Sequence, residues 1–218
     1  MILEMETDSP VAVRTVERAL AGRYSAYADE VRRLIDAGVA LMRDGDGSDP
    51  RVSEIVAHAG LSNQAFYRHF RSKDELLLAI LDDGLRQLVG YLEHQMAKET
   101  SGLGQVRRWV EGILTQAVNP GAAEATRGVV VNTARLGQLF PEEFRRSEEV
   151  IKAPVRAAIE RAVEQGELAS ADPERDAEAA YRLAMGTMQS CLSNGRRPSK
   201  ADVAHLVGFV VGGMRGSR

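Results

Sequence analysis

Apolar positions along this chain recur three and four residues apart over most of its length, and strict alternation is nearly absent. That spacing marks one face of an α-helix, whereas a half-buried strand alternates every second residue. Within 24–43, Val31, Leu34, Ile35, Gly38, Leu41 and Met42 share such a face and predict the first helix. It ends in Asp44-Gly45-Asp46-Gly47-Ser48-Asp49-Pro50, whose residues favour turns and whose proline cannot continue a helix. Asp49 and Pro50 suit the cap and first position of the next helix. Residues 1–23 mix Asp, Pro, Val and Arg without a steady period and read as a flexible arm. Beyond Ser72, helical spacing runs on with breaks at 100–104, 119–121, 140–141, 166–173 and 194–199. Asp172-Pro173, and Ser199 with Asp202 three residues on, mark the starts of the last two helices. Val129-Val130-Val131 is the strongest β-branched run, too short inside a helical pattern to argue for a strand. The predicted fold is all-α.

Composition narrows the class. A chain of 218 residues holds one or two domains, and 44% hydrophobic residues suit a folded protein with its own cores. Twenty Gly and seven Pro are too few for a disordered or collagen-like chain, and no membrane span is expected. Thirty-one acids against 28 Lys and Arg give a net charge of -3, so any contact with a polyanion must come from a local patch. Cys191 is the sole cysteine, and Met1-Ile2-Leu3-Glu4-Met5-Glu6 lacks the positive flank and apolar core of a secretion signal. A reducing cytoplasm is the expected compartment.

The sharpest chemistry lies in residues 51–77. Val52, Ile55 and Val56 make the buried face of a short helix, Ala59 permits close contact, and Gly60 can take the positive φ that ends it. Leu61 plugs the corner and Ser62 can cap a second helix, on which Phe66 and Phe70 face the core. Asn63, Gln64, Ala65, Arg68 and His69 are then expected outside, which is the layout of a helix-turn-helix. Asn and Gln offer paired donors and acceptors to adenine edges, and Ala65 can meet a thymine methyl. Tyr67, Arg68, His69 and Lys73 suit phosphates. Residues 51–73 carry four Lys or Arg against Glu54 alone, although residues 1–80 carry ten against thirteen acids. Ser72 with Glu75 caps the next helix just before Lys73, whose dipole end can also hold a phosphate.

The run Ala59-Gly60-Leu61-Ser62, then Phe66-Tyr67-Arg68-His69-Phe70, then Ser72-Lys73-Asp74-Glu75-Leu76-Leu77, resembles the DNA-binding domain of TetR-family transcriptional regulators. The resemblance covers about residues 24–81. It implies a homodimer, a ligand-binding C-terminal domain, and a first helix that buttresses the reading head. It also implies DNA-facing roles for Ser62, Asn63, Gln64, Ala65, Tyr67, His69 and Lys73. Gln64 stands where the family often has Gly, which can alter base preference. Pro50-Arg51 replaces frequent Thr residues, leaving phosphate contact at that helix start to Arg51 or to nothing.

The expected organisation is therefore an arm (1–23), a three-helix helix-turn-helix DNA-binding domain (24–73) and a helical ligand-binding and dimerisation domain (74–218). The helix after Lys73 carries Leu76, Leu77, Ile80, Leu81, Leu85, Leu88 and Leu92 and is long enough to join both cores; in the family it is the lever that moves the heads. Candidate pocket residues are Trp109, Asn132, Arg135, Tyr181, Met185 and Gln189, although packing is the commoner role for each of these residue types. Arg135 can pair with an anionic ligand head or with an acid such as Glu142 or Glu143. Ala204, Gly208 and Gly212 recur every four residues in the last helix and call for close approach. The partner face is either Ala180, Ala184 and Met188 of the preceding helix or a twofold mate, and a four-helix dimer interface is the preferred expectation.

The expected function is a repressor released from a near-palindromic double-stranded operator by a small, largely apolar effector. A sensor of the same fold without DNA binding, or a small helical enzyme using the C-terminal cavity, are the alternatives. The chain shows no nucleophile elbow, phosphate-cradling loop, dinucleotide turn or metal-spaced His pair, so no enzyme activity, cofactor or metal is expected.

Overall fold

The computed structural model describes residues 10–44, 50–169 and 171–216. Among these, every regular element is a helix: α1 (Pro10–Asp44), α2 (Val52–Ala59), α3 (Asn63–His69), α4 (Lys73–Met96), α5 (Gly102–Val118), α6 (Pro120–Leu139), α7 (Pro141–Glu164), α8 (Pro173–Ser193) and α9 (Lys200–Gly216). None of the described helices is long and apolar enough to cross a membrane.

Local side-chain chemistry explains most of the starts. Ser62, Ser72, Ser101, Asn119 and Asp172 each accept a hydrogen bond from a first-turn N–H of α3, α4, α5, α6 and α8. At α9, Ser199 Oγ accepts from Asp202 N–H at 3.2 Å while the Asp202 carboxylate accepts from Ser199 N–H at 2.9 Å. The start of α2 differs from expectation. Its cap is Arg51, whose N–H donates to Glu54 Oε2 at 2.7 Å, and Asp49 lies with 45–49 outside the described residues.

The first helix also differs. It begins at Pro10, fourteen residues before the predicted Tyr24, while residues 1–9 of the expected arm lie outside the described residues. Leu20, Arg14, Glu17, Arg18 and Ala residues are good helix formers, so this stretch is helical by propensity. Val13, Val16, Leu20, Tyr24 and Tyr27 line one side of it yet stay exposed. The periodicity that betrays a buried face was therefore not supplemented by burial.

Two cores form. The first joins Leu34 and Met42 of α1, Ile55 and Ala59 of α2, Phe66 and Phe70 of α3, and Leu76, Leu77 and Ile80 of α4. The second surrounds α5, which packs against α4, α6, α7, α8 and α9. Trp109 is fully buried there, its indole N–H donating to Ile151 O at 3.1 Å. Each such large side chain contributes about 1.5–3 kcal/mol by leaving water. Gly102 lets α5 meet α7: a Cβ there would lie 2.3 Å from Ala162 N. Lys152 ties α7 to α8 through Glu178 at 2.7 Å and also pairs with Glu149 at 2.6 Å.

Helices α4 and α6 belong to both cores. Leu92 and Met96 of α4 and Ala123 and Val130 of α6 lie in the second core, whereas Leu136 of α6 is buried in the first.

Candidate nucleic-acid interface and adjoining clefts

The corner between α2 and α3 is built as the residues require. Gly60 has φ 63°, and Leu61 N–H closes the turn on Val56 O at 2.9 Å. Arg33 of α1 reaches across to donate to Ala59 O at 2.5 Å and Gly60 O at 3.0 Å, so α1 braces the end of α2. Ser62 Oγ accepts from Ala65 N–H at 3.1 Å. Phe66 is fully buried and Phe70 nearly so, their ring centroids 5.8 Å apart.

At 100° per residue the opposite arc of α3 holds Asn63, Tyr67, Gln64 and Arg68. All four are exposed, as are Ser62 and Arg51, while Lys73 is half-buried at the start of α4. Two expectations are corrected. Ala65 is buried, 6% exposed, and the His69 side chain is 5% exposed. They lie four residues apart on the flank of α3 that turns back into the head, so neither stands outward with Gln64. His69 packs edge-on against Tyr27 of α1, with ring centroids 5.3 Å apart.

Glu30 of α1 organises this flank, and nothing in the local sequence signals it. Its carboxylate accepts from Arg68 Nη2 at 2.5 Å and lies 2.6 Å from His69 Nε2. The Arg68 guanidinium also sits 5.5 Å from the Tyr27 ring centroid. Hydrogen bonds from His69 and then Arg68 hold the Glu30 carboxyl below the usual carboxylate range. Arg68 is thus exposed but shared between solvent and α1.

A cleft of about 320 Å³ opens between the two cores, walled by α4, α5, α6 and α8 with Val39 of α1 at its edge. Met185 and Gln189 are on its wall. A neighbouring cleft of about 340 Å³ shares Thr133, Met185 and Gln189 and includes Tyr181. The Tyr181 hydroxyl donates to Glu148 at 3.4 Å, and burial raises its phenol above the ordinary range. Trp109, Asn132 and Arg135 line neither cleft, which corrects their assignment. Trp109 is core. Asn132 is buried, donating to Gly128 O at 3.1 Å and accepting from Arg135 Nη2 at 2.8 Å. Arg135 pairs with Asp74 at the start of α4. The helical phase of α6 turns Asn132 and Arg135 away from Val129, Val130 and Thr133, which line the cleft, while Leu136 lies near Val129's face two turns further along and is buried in the first core.

In the last helix, Val207, Val210, Val211 and Met214 are buried and Ala204, Gly208, Phe209 and Gly212 are exposed. A Cβ at Gly208 or Gly212 would meet nothing within 4 Å. Packing of that strip on Ala180, Ala184 and Met188, which are buried within the chain's own core, is therefore not what occurs.

This arrangement is a helix-turn-helix joined to a second, wholly helical domain. Residues 34–80 match the family model for bacterial regulatory proteins of the tetR family. The uncharacterized HTH-type transcriptional regulator YwcC of Bacillus subtilis (strain 168) is 42% identical over 70 residues; the match spans 31% of this chain and 31% of that protein. A TetR transcription regulator from Haloarcula marismortui superposes with a TM-score of 0.68 at 18% identity, over 86% of this chain and 97% of that one. FadR from Bacillus subtilis, in complex with stearoyl-CoA, does so at 0.64 and 15% identity, over 85% and 97%. Residues 34–80 thus resemble the helix-turn-helix domain of that family, and the chain as a whole shares the fold of these solved regulators.

Proposed function

We propose that this chain is an effector-released repressor which, as a homodimer in the cytoplasm, sets two reading heads in successive major grooves about 34 Å apart on a near-palindromic operator. The observation that carries the reading is the outward arc of α3, where Asn63, Gln64, Tyr67 and Arg68 stand on a helix anchored beneath by Phe66 and Phe70. Asn63 and Gln64 address base edges. Arg51, Tyr67, Arg68 and Lys73 address phosphates, and Ser62 serves as cap. Ala65 and His69 support the helix from behind.

The exposed strip of α9, with Phe209 61% and Leu183 of α8 38% exposed, supports dimerisation through the last two helices. Helix α6 supports coupling. It lines the main cleft with Thr133, enters the head core with Leu136, and holds Asp74 of α4 through Arg135. An effector that moves α6 alters the footing of α4 beside Lys73. Coupling of about 1–3 kcal/mol suffices for release, limited by the effector's differential affinity for the two head spacings.

The test is binding to promoter DNA from the chain's own locus across salt. The expected log-log slope is about -0.9 per phosphate neutralised. Gln64→Ala relaxes preference at one base pair by about 1–3 kcal/mol, whereas Lys73→Ala weakens all sequences alike. Uniform effects of both reverse the base and phosphate assignments, and absent or salt-independent binding favours a sensor without DNA binding.

A further inference from the structure

The main cleft has a wall chemistry that selects its occupant. We infer that it takes an uncharged molecule with a compact apolar body and one or two hydrogen-bonding groups, held without an ion pair. This rests on reading the cleft as the effector site.

Charge is the first argument. Among the described residues the wall has no Lys, Arg or His, and its single carboxylate, Asp83, is already engaged by Gln87 Nε2 at 2.8 Å and Arg32 Nη1 at 3.6 Å. Arg182, on the wall of the adjoining cleft, is held by Glu178 at 2.6 Å. An anion entering the main cleft would lose water and gain no cation, and a cation would find its one acid taken.

Room is the second. Gly84 sits in the interior of α4, where glycine is among the least favourable residues. Ile80, Gln87, Leu88 and Tyr91, at four before and three, four and seven after, line the same cleft. A Cβ at Gly84 would meet nothing within 4 Å, so no close packing demands the glycine. Its missing side chain leaves space in the cleft. The volume, about 320 Å³, is at the small end for ligand sites.

Polarity is the third. The Gln189 side chain makes no hydrogen bond among the described residues and lines both clefts. Thr126 Oγ1 donates to Gln116 Oε1 at a long 3.4 Å, an interaction readily exchanged for a ligand. Amides and hydroxyls suit a phenol, alcohol, ketone or amide.

The experiment titrates the full chain calorimetrically at neutral pH with three probes sharing one ring system: 2-naphthol, 2-naphthoate and 2-naphthylmethylammonium. 2-Naphthol is expected to bind at least about tenfold more tightly than either ion. Gly84→Leu, which fills the space from α4, is expected to weaken 2-naphthol by at least about tenfold while circular dichroism and the melting transition stay native-like. Tighter or equal binding of either ion, no binding of 2-naphthol, or full binding by a folded Gly84→Leu overturns the inference. These readouts need no DNA. A chain that binds 2-naphthol through Gly84 but never binds promoter DNA sinks the repressor reading and leaves the ligand class standing.

Discussion

Glu30→Gln removes one negative charge from beside the reading helix while keeping an oxygen that accepts from Arg68 and His69. In the native head the Arg68 guanidinium donates to Glu30 at 2.5 Å with 42% of its side chain exposed, so its charge is largely balanced within the protein. In the variant that balance is gone, and the guanidinium neutralises in full the phosphate it addresses, adding up to about one neutralised phosphate to the DNA complex. Each such phosphate steepens the dependence of log affinity on log salt by about 0.9, so a fourfold rise in salt costs the variant roughly 3.5-fold more affinity than wild type. The variant therefore binds more tightly at low salt and converges on wild type as salt rises. The sign with pH follows from the lowered Glu30 carboxyl: its folded value lies below its unfolded one, so the ionised form persists down through the usual carboxylate range. Above the ordinary carboxylate range the native Glu30 carboxylate is therefore charged. Fluorescence anisotropy with a labelled operator at several salt concentrations reads the slope. An unchanged slope refutes the shielding argument, and complete loss of binding in a normally melting variant shows that Glu30 positions α3 rather than masks it. Arg68→Gln in the Glu30→Gln background should return the slope to the wild-type value.

Gly102→Ala places a methyl 2.3 Å from Ala162 N and 2.7 Å from Ala158 O, both backbone atoms of α7 that cannot rotate away. The expected cost is about 1–3 kcal/mol, lowering Tm by about 2–4 °C per kcal/mol for a chain of this size; an unchanged melt refutes the close approach. Phe209→Glu puts a charge on the exposed α9 face and should shift sedimentation from dimer to monomer, with an unaltered dimer locating the interface elsewhere.

Several features were readable along the chain because the atoms responsible lie within a turn of one another. Ser62 and Ser72, which cap α3 and α4, the glycine with φ 63° at the corner, and the phenylalanines four apart on α3 all act over two to four residues. The departures share the opposite cause. Ala65 and His69 were expected outward because a single helix wheel does not say how far neighbouring helices close around it. Residues 10–23 read as irregular, yet Val13, Val16 and Leu20 fall three and four apart, stay exposed among the described residues, and their spacing continues into the buried face of α1. Trp109, Asn132 and Arg135 were plausible cleft residues by type, but the rotation of α5 and α6 turns them into the core or toward Asp74.

Polar caps, breakers and the alternation of apolar and charged faces are properties of short stretches, and they suffice to mark the nine described helices, the helix-turn-helix corner and most helix ends, though not the starts of α1 and α2. Contacts between distant stretches are another matter. Glu30 meets Arg68 across 38 residues and Arg135 meets Asp74 across 61, and no local preference encodes either encounter. The unfilled volume beside Gly84 is likewise a property of four helices and not of one. Packing angles and helix phase set these, because a side chain's partner depends on where neighbouring backbones come to rest.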